Sequence, residues 1–191
     1  MKKPEDFGII NFDKEKFEKT GILDCFQEVD LSNRNLEKLP FQFGIVNGYF
    51  DCSRNQIKSL EWCPKEVNGF FDCSRNQIKS LKGCPIKINE NFYCYKNKLK
   101  SLEGCPKEVN GGFYCYHNFL KSLKGCPEKV TDYLSCDNNP FDMTVKEWIN
   151  YLKKYKKSNL YGSCRIVSDN STYDSTLKGL KEKLAILEAF D

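Results

Sequence analysis

The chain has 191 residues and a formal charge of +4. That is long enough to bury one real core, and too weakly charged for a large basic or acidic field to choose its partners. Met1-Lys2-Lys3 runs into Pro4-Glu5-Asp6 with no apolar stretch of the secretory kind, and nowhere do 18 apolar residues occur in a row. The expectation is a soluble, cytoplasmic protein without a membrane span.

The elements follow in chain order. Residues 1–24 hold a DKEKFEK stretch and read as an N-terminal cap. Val29-Asp30-Leu31-Ser32-Asn33-Arg34-Asn35-Leu36 opens a repeating region that spans residues 25–141 in about six units. Four complete units start at Val46, Val67, Ile88 and Val109, with an unbroken period of 21. A period in this range means one supersecondary unit stacked on its own copies, because no single unit buries its apolar face alone. A partial unit runs from Val130 to Phe141.

Residues 142–191 read as a helical C-terminal cap. Thr144-Val145-Lys146-Glu147 has the form of a capping box, followed at helical spacing by Trp148, Ile149, Leu152 and Tyr155. That helix is expected to lid the last repeat, with Trp148 against Leu134 or Phe141. Ser158 to Ser175 reads as a polar link with one possible strand, Cys164 to Val167. Leu177, Leu180, Leu184, Leu187 and Phe190 give a second amphipathic helix.

Within a unit, Phe50 and Cys52 alternate as inward residues of a short strand. Asn55 recurs as Asn76, Asn97, Asn118 and Asn139. A buried Asn in every layer is tolerable only if loop backbone satisfies its amide. Asn-Gly at 47–48, 68–69 and 110–111 reads as a turn tolerant of positive φ. Nine of the 11 cysteines fall on two registers, one through Cys52, Cys73, Cys94, Cys115 and Cys136, the other through Cys63, Cys84, Cys105 and Cys126. One small apolar side chain per layer explains them better than disulfides or metal, whose ligands must converge. No cofactor and no metal site is expected.

The series Phe-x-Cys-x-x-Asn-x-[Ile/Leu]-x-x-Leu resembles the leucine-rich repeat. Arg34 departs from the pattern at the Asn position. The YCYxN and GCP variants are similar to the short repeats of large bacteriophages and giant DNA viruses. The resemblance implies an α/β repeat fold, a right-handed leucine-rich-repeat solenoid of short parallel strands capped at both ends. It also implies that strand residues between the inward ones line a concave, partner-facing side.

Subtracting the structural residues leaves Tyr49, Asp51, Arg54, Phe70, Asp72, Arg75, Tyr93, Tyr95, Lys96, Tyr114, Tyr116, His117 and Tyr133 as candidates for partner binding. Units one and two present Asp-x-Ser-Arg where units three and four present Tyr-x-Tyr-Lys or Tyr-x-Tyr-His. Tyr93, Tyr95, Tyr114 and Tyr116 therefore form a two-by-two block, expected to be largely exposed. Tyrosine beside arginine is the composition of a binding hot spot. Elsewhere charges alternate from layer to layer, as in Glu61, Lys82, Glu103 and Lys124, whereas Lys58, Lys79, Lys100 and Lys121 keep one sign.

The leading expectation is a non-catalytic, monomeric scaffold binding a protein, a host protein if the chain is viral. The alternative is single-stranded nucleic acid binding by the tyrosines and nearby cations, opposed by Asp30, Asp51, Asp72 and Asp137. Catalysis is not expected. The single histidine, His117, stands at a register otherwise held by Arg54, Arg75 and Lys96, and points away from Cys115. The tail carrying Cys164 is too short for the cysteine ubiquitin ligase domain that some repeat proteins bear.

Overall fold

A computed structural model describes residues 2–154 and the backbone of residues 159–161, 163–168 and 171–176. Its centre is a parallel-strand β-solenoid of about five turns with the 21-residue spacing of the sequence. The second helix expected over 177–190 lies outside the described residues.

Each turn carries two strands, where the sequence suggested one. The first set is β1 (Ile22–Cys25), β3 (Gln42–Val46), β5 (Glu66–Val67), β7 (Lys87–Ile88), β9 (Glu108–Val109) and β11 (Lys129–Val130). These pair in parallel as one sheet, called sheet A. The second set is β2 (Val29–Asp30), β4 (Phe50–Asp51), β6 (Phe71–Asp72), β8 (Phe92–Tyr93), β10 (Phe113–Tyr114) and β12 (Tyr133–Ser135), which form sheet B. Residues 68–70 and their equivalents make the corner between the sheets. Val67 sits in β5 rather than merely preceding the strand, because a corner redirects the chain without ending its lateral pairing.

The inward rows fill the coil. Phe50, Phe71, Phe92 and Phe113 are fully buried, as are Val67, Val109, Leu60, Leu81, Leu102 and Leu123. The phenylalanine rings contact their copies in neighbouring turns at 5.8, 5.4 and 5.3 Å. Cys52, Cys73, Cys94, Cys115 and Cys136 lie buried in a single row, as the register predicts, and no disulfide joins the ten cysteines among the described residues. Burial pushes the Cys52, Cys73, Cys94 and Cys115 thiols well above their ordinary range, so they stay protonated and act as small apolar side chains.

The asparagine ladder is as predicted, and each rung also ties two turns together. The amide of Asn76 donates to the Cys52 carbonyl of the preceding turn at 2.9 Å and to the Cys73 carbonyl of its own at 3.1 Å. Its Oδ1 accepts the Ile57 N–H at 2.9 Å. Asn97 and Asn118 repeat this with Cys73 and Cys94 at 3.0 and 3.1 Å.

The turns at Asn-Gly correct the sequence reading. Gly48, Gly69 and Gly111 are not in the left-handed region. Glycine is needed there for space, since a Cβ on Gly69 would lie 2.8 Å from the Tyr49 backbone nitrogen of the preceding turn. Positive φ occurs instead after sheet B, at Arg54, Arg75, Lys96 and His117 (52–54°), and before the Cys-Pro step at Gly83, Gly104 and Gly125.

At the N-terminal end, α1 (Lys14–Thr20) starts on Asp13, whose carboxylate accepts the Lys16 N–H at 2.9 Å, and stops on Gly21. Phe7, Ile9 and Phe12 join the core, and Lys16 pairs with Asp24. Strand β1 begins at Ile22, inside the stretch read as a cap.

Past the last full turn, α2 (Val145–Lys154) begins with the predicted capping box. Thr144 N–H donates to Glu147 Oε2 at 2.8 Å and Glu147 N–H donates to Thr144 Oγ1 at 3.3 Å. These bonds hold the Glu147 carboxyl below its usual range. Trp148 is fully buried, edge-to-face on Phe141 at 5.1 Å.

The polar link is more structured than expected. β13 (Asn159–Tyr161) joins sheet B beside β12, and β14 (Ser163–Ser168) pairs antiparallel with β15 (Ser171–Thr176). Ile166, Val167, Thr172 and Tyr173 are strand formers, and cross-strand pairing uses that preference despite the segment's low hydrophobicity. Among the described residues, no helix is long and apolar enough to cross a membrane.

Candidate functional site

Sheet B sets the spacing of the candidate face. Phe71 of β6 points inward, so Asp72 points outward, and the parallel register puts Asp51, Asp72, Tyr93, Tyr114 and Ser135 side by side. Adjacent strands stand about 4.8 Å apart, which is also the spacing of stacked aromatic rings. The tyrosines use that coincidence. Tyr93 and Tyr114 stack at 4.8 Å and 16°, and Tyr95 and Tyr116 at 4.5 Å and 7°.

The block is longer than four residues. Tyr49 stacks on Phe70 at 4.6 Å and 3°, and Phe70 meets Tyr93 edge-on at 6.0 Å. Tyr93 also meets Tyr95 edge-on at 6.5 Å, which joins the outer and inner rows. Tyr49, Phe70, Tyr93, Tyr95, Tyr114 and Tyr116 therefore make one aromatic strip across four turns. The Arg75 guanidinium lies 5.9 Å from the Tyr95 ring centre, a cation–π distance. Tyr133 is 43 % exposed and continues the outer row on β12.

The expectation of largely exposed tyrosines is corrected. Tyr93, Tyr95, Tyr114 and Tyr116 are all half-buried, because each pair hides its facing ring surfaces. Desolvation raises the phenol pKa of Tyr93, Tyr114 and Tyr116. Ring edges and hydroxyls remain available. The Tyr93 hydroxyl accepts from Asn91 Nδ2 at 2.8 Å.

The acidic half of the face does local structural work. Asp51 Oδ1 accepts the Ser53 N–H at 2.8 Å, and Asp72 Oδ1 accepts the Ser74 N–H at 2.7 Å, each closing an Asx turn after the strand. Burial pushes the Asp72 carboxyl up to about 6; the Ser74 hydrogen bonds oppose this, and the neighbouring Asp51 charge adds to it. Ser53 and Ser74, read from sequence as part of the outward row, are buried. A short side chain there sinks between the backbones, whereas Tyr95 and Tyr116 at the same register must rise out of the sheet.

Arg54, Arg75, Lys96 and His117 are exposed, but they stand at the corner past sheet B. Their left-handed backbone turns them away from the strand alternation on which the sequence reading placed them. His117 lies beside Tyr116 (5.6 Å between ring centres) and 3.4 Å from Asn138 Nδ2.

The alternating rows form interlayer ion pairs, Glu66 with Lys87 at 3.5 Å, Glu103 with Lys124 at 2.9 Å and Glu108 with Lys129 at 3.6 Å. Lys58 of the single-sign row reaches Glu37 at 3.6 Å. Among the described residues, no cluster of three or more His, Cys, Asp or Glu could hold a metal ion.

One residue outside the predicted set breaks the repeat. Trp62 occupies the register of Gly83, Gly104 and Gly125 and shares their left-handed backbone, with φ 73°. The signal was legible as Trp-Cys-Pro at 62–64 against Gly-Cys-Pro in the three later turns. Comparison with protein-family models, curated proteins and solved structures found no match for the chain.

Proposed function

We propose that this chain is a non-catalytic, monomeric leucine-rich-repeat scaffold that binds another protein through the outer face of sheet B. The observation that supports the reading is the continuous strip from Tyr49 to Tyr116, because the registers of Tyr93, Tyr95, Tyr114 and Tyr116 hold Asp and Ser in the two preceding turns with the same strand pairing. Tyrosines already locked by stacking lose little further side-chain entropy on binding, and they offer apolar edges together with hydroxyl groups. In this reading the repeats share the origin of those in large bacteriophages and giant DNA viruses, and the partner is a host protein in the host cytoplasm.

The ring geometry also weighs against the nucleic-acid alternative. A base stacks on an open ring face, and within each tyrosine pair the facing surfaces are already covered. Carboxylates at Asp51 and Asp72 further disfavour phosphate on the same sheet.

The molecule supplies its own control. The variant Tyr93→Asp, Tyr95→Ser, Tyr114→Asp, Tyr116→Ser gives turns three and four the residues of turns one and two. Affinity capture from cells of the native host, with mass spectrometry, is expected to recover a protein with the wild-type chain and to lose it with this folded variant. Retention of the same partner by the variant would move the site off sheet B. Oligonucleotide binding that weakens steeply with salt would favour the nucleic-acid reading.

A further inference from the structure

Trp62 is the residue that the fold accounts for least. Three later turns place glycine at its register, with φ between 81° and 93°, and a bulky side chain in that conformation is strained. The indole is not drawn into the core in return and stays 42 % exposed. Strain retained where the protein's own repeats show a relaxed solution points to a role outside folding.

The surroundings supply one. Trp62 lines a pocket of about 550 Å3 together with Phe17, Pro40 and Phe41, at the N-terminal end of the solenoid and away from the tyrosine strip. Lys2 and Lys3 also line it, and no carboxylate does. Lys38 Nζ lies 5.7 Å from the Trp62 ring centre, so a third cation flanks the indole. An apolar, aromatic floor whose charged lining residues are both lysines has the chemistry of a ligand site, and their charge selects the ligand's sign.

We propose that this pocket binds an acidic peptide segment carrying one large apolar side chain, which packs on Trp62 and Phe41 while its carboxylates meet Lys2, Lys3 and Lys38. Tryptophan is among the residues enriched in binding hot spots, which sit in well-packed pockets. This inference does not depend on the sheet B reading.

The test uses the full chain and a short fluorescein-labelled Asp/Glu peptide with one central Phe, read by fluorescence polarisation. A peptide of equal charge with Gly in place of Phe is the control. The Phe peptide is expected to bind the wild-type chain more tightly than the control. Trp62→Gly should weaken its binding by at least about tenfold while keeping or raising the melting temperature. Lys2→Glu with Lys3→Glu should weaken it comparably at exposed positions outside the core, and carries the test if Trp62→Gly misfolds. Equal binding of the two peptides, or unchanged affinity in the Lys2→Glu, Lys3→Glu variant, would overturn the proposal. So would binding of anionic vesicles in the absence of any peptide binding, which would assign the pocket to a lipid surface.

Discussion

Asn76 Nδ2 donates to the Cys52 carbonyl of the preceding turn at 2.9 Å, so one side chain supplies a hydrogen bond that the backbone cannot make at the corner after sheet B. Replacing it orphans the buried Ile57 N–H and leaves the Cys52 and Cys73 carbonyls with one side-chain amide each, from Asn55 and Asn97. Each buried orphan costs about 1–3 kcal/mol. Asn76→Ala is therefore expected to destabilise by about 2–3 kcal/mol in urea unfolding. Asn139→Ala, half-buried in the last turn, should cost less. Equal, small losses at both sites would mean that water replaces the amide.

The stacked pair Tyr95 and Tyr116 should be energetically coupled. Aromatic pairs contribute about 0.5–1.5 kcal/mol beyond their buried area, so a double-mutant cycle with Tyr95→Ala and Tyr116→Ala is expected to return a coupling in that range. Each single change should cost about 1 kcal/mol, more than the ~0.5 kcal/mol usual for an exposed site. Additive losses would indicate two independent tyrosines.

Asp72 makes stability depend on pH. Burial raises its carboxyl from 3.8 to about 6. The folded chain thus holds this proton more tightly than the unfolded chain. Its contribution is fully present below the unfolded value, near pH 4, and is lost as pH rises through about 6. Asp72→Asn keeps an oxygen for the Ser74 N–H and removes the buried charge. It is expected to raise stability at neutral pH by up to ~2 kcal/mol and to flatten the stability slope between pH 4 and 6. Thermal melts of both proteins across that window check the sign, and a wild-type slope unchanged by the substitution would refute it.

Trp148 is fully buried against Phe141, and its indole N–H has no hydrogen-bond partner among the described residues. Trp148→Ala should cost on the order of 3 kcal/mol through the cavity it leaves. Trp148→Phe keeps the edge-to-face contact and removes an unsatisfied donor, so its cost should be below ~1.5 kcal/mol. An unchanged melting temperature in the alanine variant would show that α2 does not stabilise the last turn.

The period of 21 carried most of the solenoid because stacking demands the same burial pattern in every layer, so Phe50, Cys52, Asn55, Ile57 and Leu60 declare their inward positions by recurring. The capping box at Thr144 and the contact of Trp148 with Phe141 were legible for a similar reason, being set by residues close in sequence. The candidate face was legible as a change between repeats, Asp-x-Ser to Tyr-x-Tyr.

What only the tertiary structure decided depends on the distance between turns. The second sheet arises because Val67 and Ile88 come into lateral register, which a two-residue strand does not advertise in its own pattern. Gly69 reads as a flexible turn until the Tyr49 backbone is seen 2.8 Å from where its Cβ would lie. The tyrosines read as exposed until strand spacing stacks them, and Arg54 reads as a strand residue until its φ of 54° turns it around the corner. A sequence records which positions repeat. How closely the copies approach is set by the backbone hydrogen bonds between turns, and that approach determines which side chains hide one another.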